Sequence, residues 1–149
     1  MSHAFAAFIV LNEVNGGVKL MSSGFTLEFL TKYIKVRHQE DYVITPERQR
    51  QLWEAIGEAC KKYRCWRVLA ESPVSFQYRM SRSDVFRTAQ QAAKISDKLR
   101  VACVLFGYNR DETIEFFINV AYKLGVRIEF FSDRETAIKW LGADDEVAT

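Results

Sequence analysis

Few side chains in this sequence could do chemistry, and their spacing limits what they could do. The cysteines are Cys60, Cys65 and Cys103, and the histidines are His3 and His38. Cys60 and Cys65 stand too far apart for a C-x-x-C motif, and both histidines are distant from them in sequence. A zinc site needs three or four convergent ligands, which this set does not offer. The thiols read as small buried hydrophobes. Cys103 lies inside the apolar run "RVACVLF", where burial raises a thiol pKa and makes the group inert. Cys65 precedes a strand with nothing near it in sequence to activate it. His38 shares the alternating face of Ile34 and Val36 and reads as a satisfied, partly buried histidine before it reads as a general base. Glu71 ends the stretch "VLAE", where a receiver-type fold places its phosphoacceptor. No acidic pair upstream could hold the magnesium ion that chemistry requires.

The remaining candidates are Ser81 and Ser83, in "MSRSDVF". They stand at the start of a helical pattern, where a phosphate would meet free backbone N–H groups and the positive end of the helix dipole. The plainer role for Ser81 is that of an N-cap. The strand "RVACVLF" is followed by Gly107 alone, so the dinucleotide fingerprint and the P-loop are both missing. No catalytic set, cofactor or metal is expected from these residues.

The elements around them alternate regularly. "GGVKLMSSG" is a short strand between glycines. In Phe25–Gln39, the residues Phe25, Leu27 and Phe29, and then Ile34, Val36 and His38, alternate with polar ones. Period two predicts strands with one buried face, antiparallel or at an edge. Thr45, Pro46 and Glu47 open a helix whose stripe is Leu52, Ile56, Ala59, Cys60 and Tyr63. "WRVLAES" is a strand, and "PVSFQYRM" is an irregular connection. Ser81 with Asp84 opens a second helix. "RVACVLF" is apolar throughout, as a central parallel strand covered on both faces should be. Asn109 with Glu112 opens a third helix, with a stripe of Ile114, Phe117, Ile118, Ala121 and Leu124, closed by Gly125. "VRIEFF" is a strand. Ser132 with Glu135 opens the last helix, which ends at Gly142. Trp53 and Trp140 stand beside apolar stripes and read as core or interface anchors.

From Trp66 onward the order is β-α-β-α-β-α, which predicts parallel strands and right-handed crossovers. The fold class is therefore α/β: a single domain over residues 1–142, with a mixed, mostly parallel sheet, about four helices and a polar tail at 143–149. The chain has 149 residues, 48% of them hydrophobic and 13% aromatic, with 11 Phe, enough for one well-filled core. A net charge of +2 without a basic run argues against a nucleic-acid binder. No apolar run reaches the ~20 residues of a membrane helix. "HAFAAFIVL" lacks a preceding cation and a cleavage site, so a strand or buried helix is expected there before a signal peptide. An odd cysteine count suggests a reducing, cytoplasmic setting.

Taken together, "YIKVRHQEDYVITPERQRQLWEAIGEACKKYRCWRVLAE", "RVACVLF" and "GVRIEFFSDRETAIKWL" resemble the STAS-type domain of bacterial anti-sigma-factor antagonists. The resemblance is to a divergent branch grouped with the CRAL-TRIO lipid-binding fold, and it covers roughly residues 33 to 141. It implies a regulatory, protein-interaction module without enzymatic activity, which could pair with its own copy as a homodimer. In signalling members the helix after the middle strand begins D-S-S-G, and a serine there is phosphorylated. The matching stretch is S-R-S-D, from Ser81 to Asp84. Ser83 is the nearest match, then Ser81. The leading Asp and the Gly are missing, which leaves the switch open. The alternative implied by the fold group is a small apolar ligand or lipid, held by the Phe-rich stretches "GFTLEF", "IEFFI" and "IEFF".

Overall fold

The structure is a computed structural model that describes residues 11–14, 17–22, 24–39, 45–72, 81–105 and 111–142. Seven strands lie side by side in chain order: β1 (Leu11–Val14), β2 (Gly17–Ser22), β3 (Phe25–Phe29), β4 (Ile34–His38), β5 (Arg67–Ser72), β6 (Arg100–Leu105) and β7 (Arg127–Phe131). β1 to β4 run antiparallel to one another, and β4 to β7 are parallel. The sheet is thus mixed, and mostly parallel across β3 to β7. The helices are α1 (Pro46–Tyr63), α2 (Arg82–Ala93), α3 (Glu112–Lys123) and α4 (Arg134–Leu141).

Sequential strand order has a direct consequence. Each crossover steps the same way, so α1, α2 and α3 cover one face of the sheet. Phe25, Leu27, Ile34, Val36, Val68, Val101, Ile128 and Phe130 point to that face and form one core with Leu52, Ile56, Val85, Ala89, Phe117 and Ala121. α4 covers the other face, where Leu69, Ala102 and Val104 meet Ala137 and Leu141 in a smaller core. β6 is therefore covered on both faces, as its continuous apolar run requires. α4 leaves β3 and β4 uncovered on its side, and the residues there are polar: Thr26, Glu28, Lys35 and Arg37. This is the alternation read in the sequence.

Each helix begins with a side-chain cap. Thr45 accepts from the Arg48 N–H at 3.1 Å, and Ser81 from the Asp84 N–H at 3.1 Å. Two caps differ from the sequence reading. α3 is capped by Asp111, whose Oδ1 accepts from the Ile114 N–H at 2.9 Å, in place of Asn109, which lies outside the described residues. α4 is capped by Asp133, which accepts from the Thr136 N–H at 2.8 Å, one residue after Ser132. In both places two cap-forming residues lie close together, and the packing of the stripe selects the one that starts the helix in phase. Leu124, expected in the α3 stripe, is 38% exposed because it stands past the last turn. Gly125 closes that helix at φ 95°, with the Val126 N–H donating to the Ala121 carbonyl. The connection 73–80, the expected N-terminal element and the tail 143–149 lie outside the described residues.

Candidate functional site

All four described helices follow parallel strands, so all four begin at the C-terminal edge of the sheet. That edge carries the sequence candidates. The first turns of α1 and α2 meet there, with Thr45, Pro46 and Gln49 facing Asp84, Arg87 and Thr88 across a crevice of about 10 Å³. The positive ends of two helix dipoles thus lie side by side.

Ser81 and Ser83 are both exposed, with their hydroxyls 3.4 Å apart. Their roles differ. Ser81 Oγ is committed to the cap. Ser83 stands in the first turn of α2, and its hydroxyl caps nothing. Cations flank it. The Arg82 guanidinium stacks on the Phe116 ring at 4.6 Å, and Arg87 Nη1 donates to Asp84 Oδ1 at 3.0 Å. Phe86, on the same helix, is 44% exposed.

Behind this edge, between the sheet and α1, is an enclosed cavity of about 30 Å³. His38, Ser72, Trp53, Cys103 and Phe117 contribute to its wall. His38 Nδ1 lies 3.4 Å from Ser72 Oγ. Burial pushes the His38 pKa down to about 4, against the opposing pull of a hydrogen bond to the Glu71 main chain. The ring is neutral at pH 7, as the sequence reading of a satisfied core histidine requires. Burial, and secondarily Glu129, pushes the Cys103 thiol up to about 12. Burial does the same to Cys60, helped by Cys65, also to about 12. Neither thiol is a thiolate near neutrality, so both are poor nucleophiles.

Glu71 has a role that the sequence reading did not find. Its side chain is 1% exposed on the α4 face of the sheet. Arg134 grips it with two nitrogens, Nε on Oε2 and Nη2 on Oε1, the second at 3.1 Å. Arg37 Nη1 lies 3.5 Å from Oε1, and Lys35 Nζ 3.6 Å. A carboxylate so enclosed is a structural anchor that ties the first turn of α4 to β4 and β5. The readable signal was Lys35 and Arg37 on the alternating polar positions of β4, with Arg37 in register with Glu71.

Among the described residues, no group of three His, Cys, Asp or Glu side chains could hold a metal ion, and no helix is long and apolar enough to cross a membrane. In comparisons with known proteins, no family model, curated protein or solved structure matches the chain.

Proposed function

We propose that this chain is a regulatory module of STAS-like type that acts without catalysis, by binding a protein partner or a second copy of itself through the edge where α2 begins. The observation that carries the reading is the position of Ser83. Its hydroxyl is exposed in the first turn of a helix, uncommitted to the cap, with Arg82 and Arg87 close by in the same turn or the next. A phosphoryl group there would add up to two negative charges and three acceptor oxygens beside free N–H groups. That would change the surface a partner meets, and the exposed Phe86 gives the surface an apolar contact. The three cysteines are unpaired, which suits a reducing, cytoplasmic setting.

The apolar-ligand reading has less support. Phe25, Phe117 and Phe130 are buried in the main core, so they fill space instead of enclosing it. The cavity of about 30 Å³ is far below the ~300–1,000 Å³ of typical ligand sites.

Native mass spectrometry of the protein purified from its own cells tests the proposal. A mass excess of one phosphate, or a partner or second copy bound, is the expected result. Ser83→Asp is expected to shift that assembly. If Ser81→Asp and Ser83→Asp both leave it unchanged, the phospho-switch is removed. An excess of lipid size would replace the proposal with the carrier reading.

A further inference from the structure

Strand β7 is the last of the sheet. It pairs with β6 on one side, and among the described residues no strand pairs with its other side. Successive residues of a strand aim their N–H and C=O groups to alternate sides. The Arg127 N–H donates to the carbonyl of Leu99, just before β6, at 3.4 Å, so Arg127, Glu129 and Phe131 bond toward β6. Ile128 and Phe130 therefore turn their main-chain groups outward. The Phe130 N–H confirms this direction, since it donates to Glu129 Oε1 at 3.0 Å. A carboxylate of the strand itself thus occupies the place where a neighbouring strand's carbonyl would stand.

The side chains alternate between the two faces of the sheet. Ile128 and Phe130 are buried in the main core. Arg127 and Glu129 lie on the α4 face, Arg127 exposed and Glu129 half-buried. α4 is centred on β6, which leaves that face of β7 within reach of a neighbour.

A second copy of the chain can extend this edge antiparallel, about a twofold axis. Outward-facing residues must then meet outward-facing residues, which leaves few registers. Charge separates them. Setting residue 127 against its own copy faces Arg with Arg, and setting residue 129 against its own copy faces Glu with Glu, both unfavourable. The register between these two centres on Ile128. It sets Arg127 of each copy against Glu129 of the other and overlaps the strands most fully. The Phe130 N–H then exchanges the Glu129 oxygen for the Val126 carbonyl of the second copy, which releases Glu129 to face Arg127. Tyr122, 69% exposed, and Leu124, 38% exposed, stand just before β7 in the chain and add apolar area beyond the strand.

We infer that two copies of this chain join through β7, antiparallel and centred on Ile128, into one continuous sheet. A pair of five-residue strands buries less than a standard interface, so the association is weak and depends on concentration. β7 lies two strands away from β5, whose end leads toward Ser83, so this interface and the α2 edge stand or fall separately.

Sedimentation equilibrium on the full chain tests the assignment, and a monomer–dimer equilibrium is expected. Arg127→Glu sets Glu against Glu at both contacts, and Glu129→Arg sets Arg against Arg, so each alone should weaken association about tenfold. An equal mixture of the two variants restores both contacts in a mixed dimer and should regain the affinity of the parent, which no effect inside one chain can imitate. Hydrogen exchange of the unaltered chain gives a second reading that needs no variant: protection of the Ile128 and Phe130 amides should rise with protein concentration. A parent that remains a monomer up to about 1 mM overturns the proposal. So does full protection of those amides in the dilute monomer, which would mean that the chain covers this edge itself. A dimer that Ser83→Asp disrupts and Arg127→Glu does not would also overturn it, and would place the second copy at the α2 edge.

Discussion

Strand β5 carries Arg67 at its start and Glu71 near its end, and cations gather at both places. Near Glu71, Lys35, Arg37 and Arg134 surround a carboxylate that is 1% exposed. Near Arg67, five cations share a pocket, and none of the described residues lining it is acidic. The first group is closed: its charges face one another, and its product is the attachment of α4 to the sheet. The second group lines an open pocket, where Arg67 and Arg100 donate to two carbonyls at the end of α4. The number of cations is therefore a poor guide to role. What separates the two ends is the partner: one buried carboxylate holds the first group, and helix-terminal carbonyls hold Arg67 and Arg100 in the second.

The largest effect should come from opening the closed end. Glu71→Gln leaves three cations without their buried partner, and urea denaturation should show a loss of about 3–5 kcal/mol, the usual result of breaking a buried pair. A loss below about 1 kcal/mol, the range of surface ion pairs, would show that the cluster is effectively solvated and would blur the comparison.

Next in size is the pH response of the same edge. The folded-state pKa of His38 lies below its ordinary 6.5, at about 4. The folded state thus favours the neutral ring. Its stabilising contribution is fully present above about pH 6.5 and is lost as pH falls toward 4, by up to about 3 kcal/mol. His38→Gln should flatten this part of the stability profile in chemical denaturation at stepped pH. A profile that keeps its slope in the variant would assign the titration to another group.

Cys103→Ser should cost about 1–3 kcal/mol, the cost of a buried hydroxyl that gains no sure partner. Thermal unfolding reads the change, and a neutral outcome would mean that β6 is not the central, covered strand that its partly buried Cys103 indicates. The smallest effect, of opposite sign, is expected at the open end. Arg64→Gly replaces a left-handed arginine at the end of α1 and should stabilise the fold by about 1 kcal/mol. Destabilisation there would show that the Arg64 side chain has a folding role, and would weaken the contrast between the two ends.

Much of this architecture was legible in advance. Period-two alternation in β3 and β4, the Thr45–Pro46 start of α1, the apolar run of β6 and the glycines closing α3 and α4 are local signals, and the local backbone follows them. The caps at Asp111 and Asp133 were missed by one or two residues. Neighbouring Asn, Ser and Asp side chains cap equally well, and only the packing of Ile114, Phe117, Ala137 and Leu141 decides between them. Ser81 was legible as a cap. Its different standing from Ser83 was not, since both are hydroxyls near one helix start.

The sequence by itself determined the class of fold, because the 3.6 and 2.0 periodicities and the turn residues act over a few positions. It also determined that Cys60 and His38 would be buried, because apolar neighbours three and four residues away on a helix, or two and four away on a strand, imply a common face; Cys103, in the middle of β6, is only partly buried. Only the tertiary structure decided which charges meet. Arg64, Arg67, Lys98 and Arg100 lie in two separated stretches, and Lys32 in a third. Glu71 is 63 positions from Arg134. Charge interactions act through space over a few ångströms and take no account of chain order. Parallel β-α winding brought the strand starts to one edge and the helix starts to the other, and so set one group of cations around a buried carboxylate and another beside the carbonyls that end α4.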